Sequence, residues 1–148
     1  MQTAESPSGL FNLCLAKGSE FADGELSVQI KAVTGKTDQG GGLVWRVNDA
    51  NNYYVCRFNP LEDNFRLYKV VAGKRTQLAT KEELTVPEGK WFTVSIRHIG
   101  NKIECLLNGK KQLEATDGAF PKPGGVGVWT KADAVSAFDQ LALTPIAK

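Results

Sequence analysis

Residues 40–71 read GGGLVWRVNDANNYYVCRFNPLEDNFRLYKVV, and this stretch decides the fold class. Three runs rich in β-branched and aromatic residues are separated by NDANN (48–52) and NPLEDN (59–64), which are rich in the turn formers Asn, Asp and Pro. Short polar turns between such runs are typical of antiparallel strands that pair in sequence order. The stretch therefore predicts a three-stranded meander in the middle of a sheet.

Alternation with a period of two sorts the side chains of these strands onto two faces. One face is mainly apolar, and its members are Leu43, Trp45, Val47, Tyr54, Cys56, Phe58, Phe65 and Leu67. The other face, here called the mixed face, carries Val44, Arg46, Asn48, Tyr53, Val55, Arg57, Asn59, Arg66 and Tyr68. We expect the apolar face to lie in the core and the mixed face to be available for binding.

The same signals extend outward from this stretch. Further strands are predicted at 10–16, 25–33, 91–100, 125–131 and 136–144, with two more between 101 and 117, and residues 65–71 and 76–79 are predicted to form a hairpin around 72–75. Asn108-Gly109 is a hairpin signal because both positions tolerate positive φ, and residues 34–42 predict a flexible loop. No segment of ten or more residues has a helical apolar repeat. Eight to eleven short strands indicate an all-β antiparallel two-sheet sandwich or barrel.

Length and composition indicate one domain of 148 residues, 42% of them hydrophobic. Residues 1–9 are small and polar and are expected to be flexible, and residues 10–148 are expected to form a single domain. The 18 basic and 16 acidic residues include no basic run, so neither a nucleic acid nor a membrane is expected as a partner. The start, MQTAESPSG, lacks the features of a secretory signal, which by itself favours a cytoplasmic protein.

The three cysteines are widely spaced within apolar runs, a pattern that argues against a zinc site. Cys14, Cys56 and Cys105 are expected to be small buried apolar residues. A single disulfide with one thiol left over is the alternative if the protein is exported.

Three segments, 40–79, 89–110 and 124–143, together resemble the concanavalin A-like jelly roll. More narrowly, they resemble bacterial domains of the glycoside-hydrolase family 16-like and 3-keto-disaccharide hydrolase-like kind. The resemblance covers nearly all of the chain from Leu10 onward and implies a jelly-roll β-sandwich in an exported bacterial protein. It leaves the activity open, because similar jelly rolls include lectins, hydrolases, carbohydrate-binding modules and adhesion domains.

The sequence departs from this family in two respects. Domains of this kind usually have a further N-terminal strand that pairs near the C-terminal strand, and its absence would leave a sheet edge open to form a homodimer. True family-16 glycosidases share a Glu-x-Asp-x-x-Glu strand, and no such spacing occurs here. Retaining hydrolysis needs two carboxyls about 5–5.5 Å apart. The acidic residues instead cluster in predicted turns, and Glu104 lies in a strand without a partner.

The single histidine and three acidic residues are further candidates for a functional role. His98, the single histidine, is expected to pack on the side of Val94 and Ile96 rather than to act as a catalytic base. No cofactor is expected. The resemblance implies a structural calcium ion as a weak alternative, with Asp139 together with Glu20 or Asp23 as candidate ligands.

The mixed face supplies the candidate ligand site. Its predicted ligand-binding residues are Arg46, Tyr53, Arg57, Asn59, Tyr68, Trp129 and Lys131. Aromatic rings stack on sugars, while Arg, Asn and Lys form directional hydrogen bonds to hydroxyls and carboxylates. The leading hypothesis is a lectin-like, non-catalytic domain that binds a saccharide on a concave sheet; a glycoside hydrolase and a structural or protein-interaction domain are the alternatives. Alternatively, the aromatic residues only cover the sandwich edge and the arginines are ordinary solvated charges.

Overall fold

The computed structural model describes residues 11–36, 39–87 and 89–145. The strands are β1 (Phe11–Leu15), β2 (Gly24–Thr34), β3 (Gly41–Asp49), β4 (Asn52–Asn59), β5 (Asn64–Val71), β6 (Lys74–Lys81), β7 (Phe92–Ile99), β8 (Lys102–Leu107), β9 (Lys110–Thr116), β10 (Gly125–Lys131) and β11 (Val135–Pro145). The predicted flexible segment 1–9 lies outside the described residues. Within the described ranges, no helix is long and apolar enough to cross a membrane.

The strands form two antiparallel sheets. The six-stranded sheet has the order β1-β10-β3-β4-β5-β6, and the five-stranded sheet has the order β11-β2-β7-β8-β9. Strands β3 to β6 pair in sequence order, as residues 40–71 predict, and the hairpin at Asn108-Gly109 has positive φ at both positions. The predicted all-β, two-sheet antiparallel sandwich is confirmed.

The core lies between the two sheets. From the six-stranded sheet it takes Leu43, Trp45, Tyr54, Cys56, Phe58, Phe65, Leu67 and Val126, and from the five-stranded sheet Leu26, Val28, Ile30, Phe92, Val94, Ile96, Ile103, Cys105 and Leu113. The alternation therefore assigned the core face of β4 and β5 correctly. Burial of this much apolar side-chain surface is the main force holding the two sheets together.

Strand β1 is the edge strand beside β10, and its position explains one wrong prediction. Cys56 and Cys105 are buried as expected, whereas Cys14 is exposed. Among the described strands only β10 pairs with β1, so part of its surface stays open to solvent. The predicted loop 34–42 is also too long, because β3 already begins at Gly41.

The six-stranded sheet is strongly curled. Its edge strands are β1 and β6, which in a flat sheet would lie about 24 Å apart at roughly 4.8 Å per strand. The guanidinium of Arg75 on β6 nevertheless lies over the ring of Phe11 on β1, 5.5 Å from its centroid. The face that carries these two side chains, the mixed face, is therefore concave.

Candidate functional site

A second apolar layer covers the concave side of the six-stranded sheet. Its buried members are Val44, Val47, Tyr53, Val55, Tyr68, Val70 and Trp129, and Phe11 and Leu13 pack against them. Tyr53, Tyr68 and Trp129 are 0%, 3% and 3% exposed. The aromatic rings are thus on the predicted face, but they pack against neighbouring side chains and do not offer the open stacking surface that the sequence suggested.

A polar pocket opens beside this layer, where β4 and β10 end and β3 begins. Its lining residues are Gln39, Gly40, Gly41, Arg57, Asn59, Glu62, Arg66, Arg75, Trp129, Lys131 and Ala134, and we call it the Arg57 pocket. Its volume is about 50 Å³. That is room for a small polar group or a few water molecules, and it is too small for a whole sugar ring.

Strand register places the principal side chains of the pocket in one row. Trp129 on β10 lies opposite Gly42 on β3, Gly42 lies opposite Arg57 on β4, and Arg57 lies opposite Arg66 on β5. A Cβ on Gly42 would lie 2.1 Å from the carbonyl oxygen of Cys56, so only glycine fits there. The glycine run thus marks close backbone approach inside a strand.

Arg57 is the centre of the pocket and is only 5% exposed. Its Nη1 donates to both the carbonyl oxygen and Oδ1 of Asn64, and its Nη2 donates to Glu62 Oε2 at 3.4 Å and to the Tyr68 hydroxyl at 3.3 Å. A buried guanidinium is tolerated only when its donors are satisfied in this way. The interpretation of Arg57 as an ordinary solvated charge is therefore wrong.

Two carboxylates hold the neighbouring Arg66. Glu62 lies 3.9 Å from its Nη1, and Glu82 lies 3.1 Å from its Nη2. Burial raises the pKa of Glu62, but the hydrogen bond from Asn64 and the charges of Arg57 and Arg66 outweigh it and lower the pKa overall. Hydrogen bonds from Arg66 and Thr80 lower the pKa of Glu82. Both carboxyls are therefore ionised at neutral pH.

The contacts and the pKa of Tyr68 reflect the electrostatic potential beneath the pocket. Its hydroxyl accepts hydrogen bonds from Arg57 and Arg66, each at 3.3 Å, and the guanidinium of Arg75 lies 4.2 Å from its ring centroid. Burial raises the pKa of Tyr68, but these three positive charges together lower it below its ordinary value. The potential here is therefore strongly positive.

Tyr53 and Trp129 carry buried polar atoms in the same layer. Neither the Tyr53 hydroxyl nor the Trp129 indole N–H has a hydrogen-bond partner in the described part of the chain. Burial raises the pKa of Tyr53 to about 12, opposed by the nearby indole N–H of Trp129 and the charge of Arg75. Unsatisfied buried polar atoms are uncommon in folded proteins.

The structure brings most of the predicted site residues together. Arg57, Asn59, Trp129 and Lys131 line the pocket, Tyr68 contacts Arg57 directly, and Tyr53 lies deeper in the layer. Seven lining residues were missed: Gln39, Gly40, Gly41, Glu62, Arg66, Arg75 and Ala134. Arg66 was identifiable from sequence, because the alternation of β5 places it on the same face as Tyr68. Arg75 was not identifiable, because the register of β5 and β6 shifts between Leu67 and Tyr68.

Arg46 does not share the concave face, and its predicted placement is corrected here. Its φ is 47°, and the register of β3 against β4 shifts around it. Its guanidinium therefore turns away and donates to the carbonyl oxygens of Ala22 and Phe120 and to Asp23 at 3.2 Å. The same bulge places Val47 in the concave layer rather than in the core.

His98 and the candidate calcium ligands lie apart from the pocket. His98 is buried on the core side of β7, as predicted. Among the described residues no group of three His, Cys, Asp or Glu side chains could hold a metal ion. Asp23 accepts hydrogen bonds from Arg46 and from the Gly100 N–H, and Asp139 accepts one from the Gln140 N–H. The calcium hypothesis gains no support from these contacts.

The described residues line several other cavities, and two of the larger ones are compared here with the Arg57 pocket. One of about 420 Å³, here called the outer groove, lies on the solvent side of the five-stranded sheet and contains Glu25 paired with Arg97 at 3.6 Å. These two side chains are 59% and 47% exposed, so they lack the desolvation typical of a binding centre. The other, about 330 Å³, lies between the edge strands β1 and β11. A homodimer through this edge stays a prediction.

Comparison with known families decides the classification. A family model described as the 3-keto-alpha-glucoside-1,2-lyase-like domain matches residues 2–143. The chain belongs to this family. The family resemblance predicted from the sequence is confirmed. No curated protein is significantly similar to the chain.

Solved structures share the architecture at low identity. The carbohydrate-binding module CBM66 from Bacillus subtilis is 17% identical with a TM-score of 0.78, covering 90% of this chain and 91% of that chain. A putative glycosyl hydrolase from Parabacteroides distasonis is 16% identical with a TM-score of 0.65, covering 97% and 89%. CG-16, a homodimeric agglutinin from chicken liver, is 14% identical with a TM-score of 0.57, covering 86% and 100%. The family member described here therefore has a fold shared by carbohydrate-binding and hydrolytic proteins.

Proposed function

We propose that this domain binds a saccharide at the Arg57 pocket and does not cleave it. The observation that carries the proposal is the buried Arg57, hydrogen-bonded through Nη1 and Nη2, beside Asn59, Lys131 and Trp129 on a concave sheet. Fixed polar donors next to apolar surface are the usual composition of a sugar site. The shared fold with a carbohydrate-binding module and an agglutinin supports the same function.

The size of the pocket indicates how a saccharide would bind. A cavity of about 50 Å³ takes one functional group of the sugar, so the ring itself would lie across the mouth. Lys131 and Asn59 line the pocket with Arg57 and can donate to sugar oxygens, and Trp129 contributes apolar surface. We therefore expect hydrogen bonds at one end of the concave face to hold the sugar, instead of the ring stacking that the sequence suggested.

The carboxyls near the pocket argue for binding without acid-catalysed hydrolysis. Such hydrolysis requires a carboxylic acid that is protonated at the working pH and can donate to the leaving group. Glu62 and Glu82 both contact Arg66, and both have a pKa lowered from its ordinary value. Neither therefore serves as the acid at neutral pH. A hydrolase or lyase remains the second candidate because the family description names lyase-like chemistry.

Calorimetry with a panel of oligosaccharides tests the proposal. Lys131→Ala removes a lining cation that can donate to sugar oxygens, and Arg97→Ala removes an exposed cation from the outer groove as the control. We expect wild type and Arg97→Ala to bind the same saccharide and Lys131→Ala to bind it at least tenfold more weakly. Loss of binding in Arg97→Ala alone would place the site in the outer groove. Chromatography of the saccharide after overnight incubation should show no new product; a cleaved product would establish the enzyme alternative.

A further inference from the structure

The Arg57 pocket has an unusual charge balance for its size. Among its described lining residues are four cations, Arg57, Arg66, Arg75 and Lys131, and one acid, Glu62, an excess of three positive charges. The whole chain of 148 residues carries a net charge of only +2. The positive charge of the pocket is therefore a local concentration and does not reflect a generally basic protein.

Nearby carboxylates only partly compensate for this charge. Glu62 is shared between Arg57 at 3.4 Å and Arg66 at 3.9 Å, and Glu82 pairs with the other side of Arg66. Arg75 forms no ion pair with any described residue; it lies between the rings of Tyr68 and Phe11, 4.2 and 5.5 Å from their centroids. Cation–π contacts hold a guanidinium in place without cancelling its charge.

The lowered pKa of Tyr68 agrees with this geometry. The phenol is 3% exposed, and burial alone would disfavour its anionic form. The three arginines around it more than reverse that effect. Positive charges that make this buried phenol easier to ionise than in water also favour a ligand anion placed beside them.

We propose that the saccharide recognised here is acidic, with its carboxylate seated in the Arg57 pocket. The inference rests on the proposed saccharide binding and names the class of sugar, a uronic acid or an oligosaccharide that contains one. A carboxylate matches the volume of about 50 Å³ and the planar fork of a guanidinium, which binds carboxylates in bidentate geometry. Arg75 is the principal contact, since Arg57 and Arg66 already share Glu62.

Matched pairs of ligands separate this inference from the proposed function. Oligouronides of the gluco, galacto and manno configurations are each compared with their carboxyl-reduced, neutral counterparts by calorimetry on wild type, Arg75→Gln and Arg97→Gln. We expect one acidic member to bind at least tenfold tighter than its neutral counterpart in wild type and Arg97→Gln. In Arg75→Gln the ratio should fall toward one. Thermal unfolding confirms that each variant is folded.

Each other outcome contradicts either the acidic ligand or saccharide binding itself. Equal binding of the acidic and neutral members would overturn the acidic-ligand inference and leave saccharide binding intact. A sulfated galactan is added to the panel as a further anion. If it binds and no uronide does, the recognised anion is a sulfate ester, and the inference of a carboxylate is overturned. Absence of binding to every member, acidic or neutral, would contradict the proposed function and this inference with it.

Discussion

Trp45 on the six-stranded sheet donates its indole N–H to Nδ1 of His98 on the five-stranded sheet, at 3.0 Å. Both side chains are fully buried, and the Tyr54 ring meets His98 edge-on with centroids 5.3 Å apart. An acceptor at Nδ1 requires that nitrogen to be unprotonated, so the bond that joins the two sheets exists only with neutral histidine.

The first prediction is that stability falls as pH decreases from 6.5 to 4. Burial, reinforced by the charge of Arg46 and opposed by those of Asp23 and Asp117, lowers the pKa of His98 from 6.5 to about 4. Between pH 4 and 6.5 the unfolded chain binds a proton at His98 that the folded chain does not bind. The free energy of unfolding therefore rises with pH across this window, and this stabilisation is lost as the pH falls toward 4. The expected change is on the order of 2–3 kcal/mol.

Urea unfolding at pH 4.5, 5.5 and 7 measures this dependence. His98→Gln retains an acceptor for Trp45 but does not titrate, so it should show a much smaller fall across the same range. Carboxylates such as Glu62 contribute the same pH dependence of stability to both proteins, so their effect cancels in the comparison. Identical slopes for wild type and His98→Gln would show that His98 is not the titrating group.

The second prediction concerns the buried ion pair of Arg46 and Asp23, whose side chains are 2% and 8% exposed. Arg46→Met should lower the free energy of unfolding by about 3–5 kcal/mol, because it removes the cation paired with the buried Asp23 carboxylate and the donors to two carbonyl oxygens. Arg97→Met breaks an exposed pair with Glu25 and should cost under about 1 kcal/mol. Urea titration distinguishes them, and equal costs would contradict a structural role for Arg46.

The third prediction concerns the close strand approach at Gly42. Gly42→Ala should cost about 2 kcal/mol or more, since its methyl group would lie 2.1 Å from the Cys56 carbonyl oxygen. Gly118 has no heavy atom within 4 Å of an added Cβ, so Gly118→Ala is the matched control and should stay within about 0.5 kcal/mol. Thermal unfolding gives both values. A neutral Gly42→Ala would mean that β3 can move away from β4.

The fold was predictable from sequence because its signals are local. The turns around residues 48–52 and 59–64 and the alternation of β4 and β5 depend on neighbouring residues alone, and the structure follows them. Arg46 was placed on the wrong face because a bulge interrupts the alternation of side chains between the two faces of the sheet. No local sequence pattern indicates its positive φ.

The candidate site was predictable only in part, because it depends on contacts between distant strands. Tyr68 and Trp129 carried the right parity, but sequence could not show that Phe11 and Leu13 of β1 would cover their layer. Arg75 reaches Tyr68 through the shifted register of β5 and β6, and it reaches Phe11 because the sheet curls, which is a property of six strands together. Glu62 resembled an ordinary turn acid until its partners were known.

The fourth prediction is that one thiol reacts with a disulfide reagent such as DTNB in the native protein. Cys14 is exposed, whereas Cys56 and Cys105 are buried in the core, where burial and contact with Cys105 raise the pKa of Cys56 well above its ordinary value. Three thiols should react after unfolding in guanidinium. Cys14→Ser should abolish the native reaction, and rapid native reaction of a second thiol would contradict the packing of the core.

The most direct test of saccharide binding at the Arg57 pocket is the response of the three tryptophan indole N–H signals to the best-binding oligosaccharide, followed by ¹H–¹⁵N NMR. Trp129 lines the pocket, Trp45 is buried between the sheets and Trp91 is exposed, and Trp129→Phe assigns the first signal. Binding at the pocket should shift the Trp129 signal progressively and leave that of Trp45 in place. A shift confined to Trp91, or no indole shift at saturating saccharide, would contradict binding at this site.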